Sequence, residues 1–155
     1  MKRTLFLLIV IVLAAYALAA LLGFGRGATV RQEALHGPRI YAYRSWQSLG
    51  IFVKQGDRID IQAQGTWLYT PDEYHGPEGH ARYPAPAFYP LSGVPGGVLI
   101  GRIGETGQPF LVGRHTTWVA ERDGLLYLRI NDDLLGDNEG SVAVAVTVTS
   151  LQSAE

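Results

Sequence analysis

The chain contains no cysteine. Disulfides are therefore excluded as staples of the fold, and so is lipidation of a processed N-terminus. Positive charge is not in excess either: 13 Lys and Arg stand against 14 Asp and Glu. After Gly27 there are ten basic and fourteen acidic residues, a net charge of −4. A protein that tracks a phosphate backbone needs a basic face, so no nucleic acid is expected as a partner. Helical periodicity is missing from Arg39 onward, and no internal repeat is evident. Charge is missing altogether between Thr4 and Gly25.

That uncharged run is apolar and about as long as a bilayer-spanning helix needs to be. Met1-Lys2-Arg3 precedes it and no comparable basic cluster follows, which favours an N-terminus on the inside. Residues 1–27 are expected to form a signal anchor, with the C-terminal part held outside the cell membrane, periplasmic or extracellular. A cleaved signal peptide is the alternative, with Ala17-Leu18-Ala19 as its small-residue site. Cleavage there would leave Leu21, Leu22 and Phe24 as an apolar stub. Residues 28–38 read as a polar tether and 39–152 as one domain with its own core. Ala14, Ala15, Ala19 and Ala20 would permit close helix packing. A non-catalytic subunit of a membrane complex, or a homo-oligomer, is thus the alternative to a free-standing domain.

What is present after Arg39 reads as strands. Ile40 to Trp46 and Leu49 to Val53 are strand-like, and Gln55-Gly56-Asp57 is a turn signal. Ile59, Ile61 and Ala63 alternate with polar residues, which puts them on one face. Gly65 to Tyr69 continues the segment. Val98 to Ile103, Thr116 to Ala120 and Leu125 to Ile130 follow. Val142, Val144, Val146 and Val148 give the cleanest alternation. Their opposite face carries Ala143, Ala145, Thr147 and Thr149, which suits a strand covered on both sides or near a rim. Short strands with regular turn signals argue for a β-sandwich or jelly roll. Thr70 to Gly97 has no convincing strand and is rich in Pro, Gly, Tyr and His. A loop this long inside a compact domain is usually functional or disordered. Its aromatics argue for an ordered loop packed over one end of the sandwich.

The richest chemistry lies between the last two strand-like runs. Residues 131–140 carry three Asp, two Asn and one Glu. A turn needs far less. Like charges crowd unless something positive sits among them, and a hard cation such as calcium takes six to eight such oxygens.

Five pieces carry a family likeness: Gly65-Thr66-Trp67-Leu68-Tyr69-Thr70-Pro71, Gly76-Pro77-Glu78-Gly79, Gly97-Val98-Leu99-Ile100-Gly101-Arg102-Ile103-Gly104, Leu128-Arg129-Ile130-Asn131-Asp132 and Asp137-Asn138-Glu139-Gly140. In this order they resemble the PA-IL family of calcium-dependent galactose-binding lectins, small jelly-roll β-sandwiches. The likeness runs from about Ile40 to Val148. It implies an all-β, galactose-binding-like sandwich that holds Ca2+ and, through it, a carbohydrate. It implies Tyr69 as a carbonyl ligand and Asp132 as the carboxylate that touches both ion and sugar. Asp137 and Asn138 match the pair that closes the metal loop, with a carbonyl near Leu134 or Leu135 as the remaining ligand. The carbohydrate-binding set would be Tyr69, His80, Tyr83, Asp132 and Asp137. Asp137 stands where the family has an amide, and the metal loop is shorter. Tyr83 stands where the family has a sugar-contacting His, with His80 close by.

Other constellations point to less. His75 and His80 with Glu78 fall short of a zinc pattern, with His36 and His115 distant in sequence, so surface-loop histidines are the expectation. Trp46, Trp67 and Trp118 sit in strand-like segments, where burial is the usual fate of so large a ring. Tyr74, Tyr83 and Tyr89 are better placed to touch a ligand. Asp132 with Asp137, or Glu78 with Asp132, lacks any sign of one raised and one lowered acid, as glycoside hydrolysis needs. No nucleophile motif is present, so the domain is expected to be non-catalytic.

Overall fold

The computed structural model describes residues 30–32, 37–70 and 72–150, with side chains from Gly37 onward. The apolar run expected as the anchor lies outside these residues. Among the described residues no helix is long and apolar enough to cross a membrane. They form strands joined by turns, bends and irregular segments.

The strands are β1 (Val30–Gln32), β2 (Arg39–Tyr41), β3 (Gln47–Val53), β4 (Arg58–Thr70), β5 (Glu73–His75), β6 (His80–Pro84), β7 (Pro95–Gly96), β8 (Leu99–Ile103), β9 (Phe110–Leu111), β10 (His115–Val119), β11 (Gly124–Ile130) and β12 (Glu139–Thr149). One sheet has the order β1-β12-β4-β10, with β2 also paired to β12 and β5 to β4. A second has the order β3-β11-β8-β9, and β6 pairs with β7. β1 lies within the stretch expected as a tether, and its backbone pairs with β12 from Val30↔Thr149 to Gln32↔Thr147.

Period-2 patterning builds the two facing layers. Along β4, Ile59, Ile61, Ala63, Trp67 and Tyr69 are buried, whereas Arg58, Gln62, Gln64 and Thr66 are exposed. On β12 the four valines turn inward. Ile51, Val53, Leu99, Ile103, Leu126, Leu128 and Ile130 from the other sheet join them in one buried cluster. Each such aliphatic side chain contributes about 1.5–3 kcal/mol when fully buried. β12 pairs with β4 over its whole length and meets β1 and β2 on its other edge. That central position explains why its alanine and threonine face is half-buried as well.

Two expected segments differ. The run from Ile40 to Trp46 is cut after Tyr41 by a turn, in which Arg44 N donates to Tyr41 O at 3.3 Å, and the Gln47 side chain braces that turn. Its Oε1 accepts from Tyr41 N and its Nε2 donates to Tyr41 O, both at 3.0 Å. Trp46 is left outside the strands, half-buried, with the Arg102 guanidinium 4.4 Å from its ring centre. The stretch from Thr70 to Gly97 contains β5, β6 and β7. They are short and carry little inward-facing apolar surface, so no alternation announces them. Their pairing is imposed by β4 and by each other.

Candidate functional site

At one end of the sandwich three segments converge: the end of β4, the excursion through β5 to β7, and the loop from β11 to β12. Trp67 is fully buried, and its Nε1 donates to Gly97 O at 3.0 Å. Gly97 N in turn donates to Asn131 O at 2.9 Å. Asn131 is completely buried. Its Oδ1 accepts from Leu91 N at 3.0 Å and its Nδ2 donates to Leu91 O at 2.7 Å. One amide thus fastens the excursion to the start of the oxygen-rich loop.

Asp132 and Asn138 are both buried, at 4% and 3% exposure. Asn138 Nδ2 donates to Asp132 Oδ2 at 2.7 Å and lies 3.4 Å from Leu134 O. Asp132 Oδ1 has a long approach from Leu134 N, at 3.4 Å, and the Tyr89 hydroxyl lies beside the same carboxylate. Asn138 Oδ1 is buried with no hydrogen-bond partner. A nearby positive charge does exist, on the buried Arg129 of β11. Its Nη2 donates to the Asp132 carbonyl and its Nε to Ile130 O. These bonds go to main-chain oxygens and leave the Asp132 carboxylate without an arginine partner. Burial pulls the Arg129 pKa down, partly countered by the nearby Asp132 charge.

Tyr69 follows from a bulge. β4 and β5 pair at Leu68↔Tyr74 and Thr70↔Glu73, with a register shift between them, and the β12 ladder ends at Leu68. Tyr69 therefore sits at the register shift, with no partner residue in either ladder. Its hydroxyl lies 3.1 Å from the Tyr89 hydroxyl. Burial raises both phenol pKa values, and the Asp132 charge adds to each. Both phenols therefore stay neutral at physiological pH; one donates to the other, which leaves a single hydroxyl proton for another oxygen.

The remaining expected residues lie around this centre. Leu135 is half-buried against the core, and its carbonyl accepts from Asn138 N at 3.4 Å. Asp137 is exposed and has no side-chain hydrogen bond among the described residues. Tyr83 is 45% exposed on the rim, its ring centre 6.5 Å from that of Tyr69 and 6.4 Å from that of His80. Tyr74 is 61% exposed, whereas Tyr89 is half-buried. Glu78 does not meet the histidines; Arg114 holds it, with Nε–Oε2 at 2.6 Å and Nη2–Oε1 at 2.9 Å. The structural role of Asn131 was hidden within the acidic run, since no local pattern announces a partner forty residues away.

The donor set at the centre suits a hard cation. The Asp132 carboxylate and the Asn138 amide Oδ1 both offer oxygen. Asn138 Oδ1 is the one of them that is buried with no hydrogen-bond partner.

A two-layer antiparallel sandwich with such a loop beside an aromatic rim is the architecture of a lectin-like domain. The family model described as PA-IL-like protein matches residues 39–151, and the chain belongs to that family. Among solved structures it is similar to the EclA N-terminal domain, a PllA-like lectin, at a TM-score of 0.57 and 24% identity, over 72% of this chain and 93% of that one. That likeness speaks for the fold. A search of the curated proteins finds no match.

Proposed function

We propose that this domain binds calcium and, through the ion, a carbohydrate. The supporting observation is Asn138 Oδ1, a buried amide oxygen with no partner, two bonds away from an amide nitrogen that grips a buried carboxylate. Leaving such an atom unsatisfied costs about 1–3 kcal/mol. A cation removes that cost. Asp132, Asn138 and the carbonyls of Tyr69 and Leu135 would hold it. Asp137, exposed in the protein alone, would join only by turning inward. Calcium tolerates high coordination, so two neighbouring sugar hydroxyls can complete its sphere. Asp132 and Asp137 would accept hydroxyl protons in charge-assisted bonds. Tyr83 and His80 would line the rim, with galactose-type sugars as the family expectation.

In this reading the domain is non-catalytic. The N-terminal apolar segment anchors it in the cell membrane with the sandwich outside. A single site binds sugar weakly, so several copies on one membrane would gain through effective concentration.

Thermal unfolding of the full-length chain with calcium, then with chelator, tests the ion. Stabilisation by calcium is expected in the native chain and absent in Asp132→Ala. A glycan array read with and without chelator tests the sugar. Equal unfolding temperatures in both buffers would end the calcium reading. A calcium response without any chelator-sensitive glycan signal would end the lectin reading and leave the ion as a loop brace.

A further inference from the structure

The histidines of the excursion carry chemistry that the calcium site does not use. Glu73, His75 and His80 place one ligand atom each within 4.8 Å of one another. Glu73 and His75 are two apart on β5, so they share a strand face. The turn Gly76–Gly79, closed by Gly79 N donating to Gly76 O at 3.0 Å, brings His80 back beside them. The two imidazole rings lie 4.6 Å apart between centres.

The spacing discriminates between two readings. An ion-paired N–H···O contact closes to about 2.7–2.9 Å. Here Glu73 Oε2 stands 3.5 Å from His75 Nε2 and 3.4 Å from His80 Nε2. Two ligands bound tetrahedrally to one zinc, at about 2.0–2.2 Å each, stand roughly 3.4 Å apart. The observed distances match ligands that share an ion better than partners that share a proton. His75 Nε2 is also buried with no hydrogen-bond partner. In the tautomer protonated on Nδ1, that nitrogen turns a lone pair toward the carboxylate and the second imidazole, where a cation can join all three. Imidazole with carboxylate suits zinc and its neighbours better than calcium, which prefers oxygen alone.

We propose that Glu73, His75 and His80 form a second metal site, for a divalent transition ion of the zinc class, on the rim beside Tyr83. Three protein ligands leave a tetrahedral position to water. Binding has a cost within the strand. Coordination through His80 Nε2 places the ring proton on Nδ1, which now accepts from Arg82 N at 3.2 Å. That bond is lost, and the backbone one residue before Tyr83 must shift. Zinc occupancy would thereby alter the rim without touching Asp132 or Asn138.

Calorimetric titration of the full-length chain with Zn2+ in saturating calcium tests this. One equivalent is expected to bind. Glu73→Gln should weaken it about 10-fold or more, since even outer partners of metal ligands matter that much. His75→Gln/His80→Gln should abolish it, with circular dichroism confirming the fold. Should the double variant fail to fold, Glu73→Gln, at an exposed carboxylate, decides. Visible absorption of bound Co2+ should report a four-coordinate site in the native chain. Absence of Zn2+ and Co2+ binding, or binding unchanged by these substitutions, overturns the site. Zinc binding retained in Asp132→Ala would keep this inference separate from the fate of the calcium reading.

Discussion

Asn131 is a buried amide whose two polar ends are both spent on the main chain of Leu91. Asn131→Ala removes both bonds and orphans two main-chain groups. A destabilisation of about 2 kcal/mol or more is expected, read as a lower denaturation midpoint. Trp67 fills the core and also anchors Gly97. Trp67→Ala should cost about 3–5 kcal/mol by the same measurement. Asp60 behaves differently because it is near the surface. Burial would raise its pKa, but hydrogen bonds from His115, Thr117 and Gln62 outweigh it and lower the value below 3.8. A depressed carboxylate stabilises the fold above its unfolded pKa and stops doing so as pH falls through its folded one. Asp60→Asn should therefore be slightly less stable than the native chain at pH 7, by about 0.5 kcal/mol or less. The gap should close as pH falls below about 4, and a gap that widened there would refute the assignment.

At the scale of elements, the alternation on β4, β11 and β12 was legible because one face of each is buried and side chains repeat every second residue. Ile59, Ile61, Leu126, Leu128 and the β12 valines all occupy the core as their spacing requires. β5, β6 and β7 were not legible. They are held by pairing rather than by burial of their own apolar face, and pairing partners leave no local trace. The glutamate of the histidine cluster was missed for a related reason. Glu78 is nearer His80 along the chain, but the period of a strand selects Glu73, two residues before His75. Trp46 escaped its expected core position because the chain turns after Tyr41, closed by Arg44 N and braced by the Gln47 side chain, which no propensity foretells. Gly97 joins these elements at one point. Its φ is +70°, and a Cβ there would meet Tyr69 ring atoms at 2.5 and 2.8 Å, inside any tolerable contact. Gly97→Ala is therefore expected to lower stability by about 1–2 kcal/mol from the backbone alone. It should also displace Tyr69 and weaken the calcium-dependent thermal shift. A normal shift in that variant would separate Tyr69 from the ion.

Over the whole molecule, stability and ligand occupancy are linked. An ion that binds only the folded chain at one hundred times its dissociation constant adds about 2.7 kcal/mol. Unfolding temperature should therefore keep rising with calcium concentration beyond saturation of the site, and a flat response would exclude a specific ion. The sequence by itself determined the all-β class, the inward-facing residues of the long strands and the stretch in which carboxylates and amides concentrate, because burial and charge are written locally, residue by residue. Only the tertiary structure decided which oxygens are buried together, which acid stays in solvent and which glutamate meets the two histidines. Those outcomes depend on contacts between segments far apart in the chain, and no local pattern encodes a distance across a sandwich.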